Sequence, residues 1–242
     1  EIEYLPAEVL AFRALIASQR NEPEKVIENA KRSFSLTAGR QAPEASVVRG
    51  IAGMALVIAH RQKGELDLAV EASRSAVQEA VLGGERGTIV SAFNSLGVTL
   101  VIQGRLRQAA EAYQDGIRYG EGRAEAHHPA YSMLYLRLAD LHFQWNNLAQ
   151  AQQYIKEGMQ RADFSGCLWP VIYGRSLSCQ VKCAAGDRQG AMGVYAEILK
   201  LQPGLAGAYF EDEIESCLAY TRARLGFRDE AEAWLDETPP AE

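Results

Sequence analysis

From Thr88 to Ile102 the apolar residues Ile89, Phe93, Leu96, Leu100 and Val101 recur at the three- and four-residue steps that line one face of a helix. After a break at Gly104, Leu106, Ala109, Ala110, Tyr113 and Ile117 repeat the pattern. The break itself recurs along the chain as Gly or Asn, one residue, a third position, two residues and a small apolar residue. It stands at Gly64-x-Leu66-x-x-Ala69, Gly104-x-Leu106-x-x-Ala109, Asn146-x-Leu148-x-x-Ala151, Gly186-x-Arg188-x-x-Ala191 and Gly226-x-Arg228-x-x-Ala231, with a degenerate first copy at Asn21-x-Pro23-x-x-Val26. These anchors are spaced by 43, 40, 42, 40 and 40 residues. Gly and Asn accept the left-handed backbone of a helix C-terminal cap, so each unit reads as helix, tight turn, helix.

Small residues recur at two fixed offsets. Seven before the anchor stand Ala14, Val57, Gly97, Ala139, Cys179 and Ala219; five after it stand Val26, Ala69, Ala109, Ala151, Ala191 and Ala231. Small side chains at both places let paired helices approach within the usual ~8–10 Å. Linkers carry breakers and starters: Pro43, Gly83-Gly84, Gly120 with Gly122, Pro129, Gly166 with Pro170, Pro203-Gly204, and Thr238-Pro239-Pro240 at the end. A lone hairpin cannot bury its apolar face, so neighbours must stack. The expected fold is all-α, a right-handed superhelix (solenoid) of about six antiparallel helix hairpins forming one domain over 1–242, with repeats near 5–40, 44–82, 85–122, 128–165, 168–203 and 205–238.

Composition narrows the function. The chain has 242 residues, 25 Lys+Arg against 31 Asp+Glu and a net charge of −6, which argues against a dedicated nucleic-acid surface. Apolar residues at 48% exclude disorder. Four cysteines (Cys167, Cys179, Cys183, Cys217) fit a reducing cytoplasm better than a disulfide framework. No apolar run approaches the ~20 residues of a membrane helix. The start Glu-Ile-Glu-Tyr carries no signal-peptide pattern and no initiator Met, which predicts a segment of a longer cytoplasmic protein.

The unit from Ser91 through Gly97, Gly104 and Tyr113 resembles a tetratricopeptide repeat, although the period near 40 exceeds that family's 34 residues. Longer units of this kind resemble the arm of MalT-like, LuxR-type transcription regulators. The stretch Leu138-Ala139-Asp140-Leu141-His142-Phe143-Gln144-Trp145-Asn146-Asn147-Leu148, followed by Glu157-Gly158, carries the resemblance most specifically, with support from Ala184 to Ala191 and from Glu230 to Leu235. It departs from the family at Asn147, where aspartate is common. The resemblance implies a nucleotide-switching ATPase upstream and a helix-turn-helix DNA reader downstream. ATP and DNA would be handled by those parts, and no cofactor is expected in this segment.

The chain has no Gly-x-x-x-x-Gly-Lys-Ser/Thr phosphate loop, no His-Glu-x-x-His and no Gly-x-Ser-x-Gly. Gly83-Gly84-Glu85-Arg86-Gly87 lacks the lysine and reads as a linker. Cys179 and Cys183 lie one helical turn apart and offer half a metal site, but Cys179 occupies a small-residue packing position. His60 and His142 fall on packing positions, and His127-His128 in a linker. Trp145, Trp169 and Trp234 read as packing more than as stacking platforms. Glu211, Asp212, Glu213 and Glu215 suit the start of a helix. Enzyme chemistry is not expected.

The remaining candidate is the concave groove. By analogy to tetratricopeptide stacks, groove positions fall 13, 10, 6, 3 and 2 residues before each anchor. The expected ligand-binding residues are Arg61, Asn94, Asp140, Phe143, Tyr173, Gln180 and Tyr220, with Met54 and Arg224 beside them. Two functions fit. One is the sensing and interaction arm of a MalT-like regulator, in which a small-molecule inducer or a partner protein biases the ATPase switch. The other is a stand-alone scaffold for partner peptides. DNA would be met only through a missing C-terminal domain, no membrane contact is expected, and self-association is open.

Overall fold

The computed structural model describes residues 2–121, 129–162, 168–201 and 211–237. Cys167, His127, His128, Gly122, Gly166, Pro203-Gly204 and Thr238-Pro239-Pro240 lie outside the described residues. Twelve α-helices and two short 3-10 turns occur among the described residues, without a strand. They are α1 (Leu5–Gln19), α2 (Pro23–Thr37), α3 (Pro43–Gln62), α4 (Leu66–Gly83), α5 (Arg86–Ile102), α6 (Leu106–Glu121), α7 (Ser132–Gln144), α8 (Leu148–Ala162), α9 (Leu168–Ala184), α10 (Arg188–Leu201), α11 (Glu211–Leu225) and α12 (Arg228–Glu237). Among these residues no helix is long and apolar enough to cross a membrane.

All six sequence anchors adopt the left-handed backbone: φ is 54° at Asn21, 73° at Gly64, 74° at Gly104, 57° at Asn146, 83° at Gly186 and 87° at Gly226. At each, the anchor amide donates to the carbonyl three residues back, as Gly64 to Arg61 at 3.0 Å. The next amide donates five back, as Glu65 to His60 at 2.8 Å. This double closure satisfies carbonyls that a helix end otherwise leaves open. It turns the chain at once into the following helix.

The chain divides into two compact units, residues 1–124 and 125–242. In the first, α1 pairs with α2, α3 with α4 and α5 with α6, while α3 also packs on α1 and α2, and α5 on α3 and α4. In the second, α7 pairs with α8, α9 with α10 and α11 with α12, and α9 also touches α7, α8 and α11. The small residues at both recurring offsets are buried in every pair. At Cys179 the fit is close enough for Sγ to donate to the carbonyl of Ala191 at 3.3 Å, joining the two offsets. Each unit's apolar core is drawn from several helices. In the second, Leu136, Ile172, Leu177, Ile198 and Leu218 interlock, each worth about 1.5–3 kcal/mol of burial.

Glu85, inside the glycine-rich linker, caps α5. Its carboxylate accepts from the Gly87 amide at 2.9 Å, and from the Thr88 amide and hydroxyl at 2.6 Å each. Partial burial pushes its pKa upward, but the bonds from Thr88 and Gly87 outweigh this and hold it below the usual carboxylate value. The folded chain therefore favours the ionised cap, whose stabilisation is present above the unfolded value near 4.5 and is lost as pH falls below it. Glu85→Ala is expected to cost about 1 kcal/mol at pH 7. In urea melts the difference between the two proteins should shrink as pH falls below 4.5. A difference that does not change with pH would remove the cap as its cause.

Candidate functional site

Three first helices of the second unit, α7, α9 and α11, line an open cavity of about 340 Å³. Its lining follows the repeat. Asp140, Gln180 and Tyr220 each stand six residues before their anchors, and Arg137, Leu177 and Cys217 each stand nine before. Successive repeats thus place matching positions in rows across neighbouring helices. Trp169 and Tyr173, one turn apart in α9, form an aromatic wall, with ring centroids 5.1 Å apart at 32°.

Polar order centres on Tyr173. Its hydroxyl donates to Asp140 Oδ2 at 3.1 Å and accepts from Arg137 Nη1 at 3.2 Å. The Arg137 guanidinium lies 4.9 Å from the Tyr173 ring centroid, a cation–π arrangement. Burial drives the Tyr173 pKa far above its ordinary value, and neighbouring Asp140 pushes the same way against Arg137. The phenol therefore stays protonated and keeps its bond to Asp140. Burial likewise raises the Cys217 thiol to about 11. It is a neutral thiol at pH 7 and a poor nucleophile.

Gln180 is the unusual member. It is only 5% exposed, yet its side chain makes no hydrogen bond with another described residue. Its amide atoms are not among the sealed polar atoms, so they open on the cavity. An amide that opens on the cavity can meet a bound molecule with both a donor and an acceptor. Asp140 Oδ1 is similarly uncommitted among the described residues. A buried amide, a carboxylate oxygen and an aromatic wall in a volume of this size are the parts of a small-molecule site.

The repeat length, the left-handed anchors and the paired helices all speak for one family. The family model described as the MalT-like TPR region matches residues 7–241. The chain belongs to that family. Among solved structures, BtubC from P. vanneervenii shares 17% identity over 91% of this chain and 89% of its own, with a TM-score of 0.65. The apo form of RapI shares 14% over 100% of this chain and 67% of its own, with a TM-score of 0.63. At these identities the likeness concerns fold alone. No curated protein sequence matches the chain.

Within this MalT-like TPR region, Asp140, Tyr173, Gln180 and Tyr220 line this cavity, Tyr220 at an exposed position. Phe143 instead packs against the core of the same unit. Arg61, Asn94 and Met54 belong to the first unit: Arg61 is half-buried near the end of α3, and Asn94 has its Oδ1 sealed without a hydrogen bond. Arg224 is exposed on α11. The groove rule passed over Arg137, Leu177 and Cys217 because it skipped the position nine before the anchor. A signal was present, since Arg137 is the one Lys or Arg in α7, amid Leu134, Tyr135, Leu136 and Leu138. Trp169 packs, as expected, and also faces the cavity.

The other candidates have local partners. His60 Nδ1 lies 2.7 Å from Glu65 Oε2. His142 packs between Trp145 and Tyr154, centroids 5.3 and 5.2 Å away, and burial lowers its pKa. Trp145 itself is largely exposed at the end of α7, and Trp234 is half-buried. Glu215 lies 3.8 Å from Arg222, while the side chains of Glu211, Asp212 and Glu213 fall outside those described. Among the described residues no three His, Cys, Asp or Glu side chains gather as metal ligands would.

Proposed function

We propose that the chain is the ligand-sensing and protein-interaction arm of a MalT-like, LuxR-family regulator in the cytoplasm, without catalysis of its own. Inducer or partner binding here would bias an ATPase switch and DNA binding carried elsewhere in the parent protein. The amide of Gln180, without a hydrogen-bond partner among the described residues, carries the reading, since it faces a cavity bounded by three successive first helices. A ligand bridging α7, α9 and α11 touches helices whose packing can differ between two states. Only unequal affinity for those states shifts their populations. The protonated Tyr173 and Cys217 suit binding better than nucleophilic or acid–base chemistry.

The same amide favours the scaffold reading as a second possibility, because a primary amide pairs with a peptide group through both its donor and its acceptor. Thermal-shift screening of small polar molecules and short peptides against the whole chain separates the two by the class that binds. At a hundredfold excess over Kd, a true ligand adds about 2.7 kcal/mol. Gln180→Ala and Asp140→Ala are expected to weaken that ligand at least ~10-fold, or about 1.4 kcal/mol, by isothermal titration. Both variants keeping full affinity would move the site elsewhere.

A further inference from the structure

We infer that the cavity lined by α7, α9 and α11 takes an organic cation, a protonated primary amine carried on an aromatic or apolar body. The inference rests on that cavity being the binding site, as proposed above, and assigns the charge and shape of its occupant. The polar residues concerned belong to these three repeats and not to the repeat in general. Six residues before the anchor stand Asp140, Gln180 and Tyr220, whereas the same position in the first unit holds Leu15, Ile58 and Val98.

Asp140 sets the charge. It is a half-buried carboxylate that accepts from the Tyr173 hydroxyl through Oδ2 and makes no ion pair with another described residue. The other charge in the lining, Arg137, holds its guanidinium 4.9 Å from the Tyr173 ring centroid and donates to the same hydroxyl at 3.2 Å. The phenol therefore stands between guanidinium and carboxylate, and Asp140 Oδ1 still faces the cavity without a counter-ion. Neither α9 nor α11 adds a formal charge to the lining. The chain's net charge of −6 also draws cations toward it more than anions.

The rest of the lining sets the shape. Trp169 and Tyr173 present neighbouring rings, and Tyr220, 49% exposed, stands at the mouth. Aromatic faces are electron-rich, so they attract a cation and stack on a flat apolar body. A primary ammonium carries three N–H donors. Asp140 Oδ1 and the amide oxygen of Gln180, at matching levels of the touching helices α7 and α9, offer acceptors for two of them. A quaternary ammonium has no N–H and would leave that amide oxygen unanswered.

Isothermal titration of the full chain at neutral pH with three probes that share a phenyl body reads the charge directly: phenethylamine, phenethyl alcohol and phenylpropionate. The amine is expected to bind with a Kd of about 0.1–1 mM, the range for so small a ligand. It should bind at least ~10-fold tighter than the alcohol, with the acid weakest. Asp140→Asn keeps an acceptor for Tyr173 and removes the charge, so it should weaken the amine at least ~10-fold and bring amine and alcohol within about threefold of each other. Its circular dichroism should match the parent's. An alcohol or acid that binds the parent chain as tightly as the amine overturns the cation class; if its affinity also falls in Gln180→Ala, the cavity reading stands. Amine affinity unchanged by Asp140→Asn overturns the assignment as well. Binding by none of the three up to about 10 mM overturns it too, and leaves the cavity to be judged by the wider thermal-shift screen.

Discussion

Gly97→Ala is expected to destabilise the chain by about 2 kcal/mol, the difference between an overpacking cost of roughly 3 and a helix-propensity gain of about 1. Gly97 stands in α5 at the small-residue position seven before the anchor, and a Cβ there would lie 2.0 Å from Tyr113 Cε1 and 2.4 Å from Cζ. Tyr113 is 1% exposed, so its ring has nowhere to withdraw. In most exposed helices the same change stabilises, so the sign of the effect is the test. Urea unfolding of the whole chain measures it, following the transition of residues 1–124. Combining Gly97→Ala with Tyr113→Leu should recover at least ~1 kcal/mol relative to the sum of the single changes, as touching residues do. A Gly97→Ala protein as stable as the parent would mean that α5 and α6 do not pack this closely.

Arg161→Ala should cost about 3 kcal/mol, a charged group's hydrogen bonds and a desolvated cation–π contact being lost together. Arg161 is 4% exposed in the last turn of α8. Its Nη1 donates to the Glu157 carbonyl at 2.6 Å and to Glu157 Oε2 at 2.8 Å. Its Nη2 donates to the Tyr135 hydroxyl at 3.3 Å, and the guanidinium sits 4.1 Å from that ring's centroid. Arg161→Lys keeps the charge but not the planar fork, and should recover less than half the loss. Thermal unfolding of the three proteins reads this directly. Losses under ~0.5 kcal/mol for Arg161→Ala, the range of ordinary surface changes, would show the residue to be peripheral.

Arg161 also marks where reading along the chain stops. A basic residue at a helix end is ordinarily a solvated partner of the helix dipole, and nothing local distinguishes this one. It is buried because α7 lays Tyr135 over it, a contact between residues 26 apart. Gly97 is the opposite case. Its place in a row of small residues was legible, since a close helix crossing is paid for by the same side-chain size in every repeat.

The candidate site divides along the same line. Asp140, Tyr173, Gln180 and Tyr220 were within reach because a repeat places equivalent residues on equivalent faces. The sequence alone determined the helices, the six left-handed turns between them and the small residues where helices cross, because each depends on backbone conformation or side-chain volume within one repeat. Only the tertiary structure decided that Arg137 shares Tyr173 with Asp140, and that the Gln180 side chain is buried without a hydrogen-bond partner among the described residues. Those outcomes depend on which neighbouring helix arrives at a given face, and periodicity shows that a face is apolar or polar without showing what will cover it.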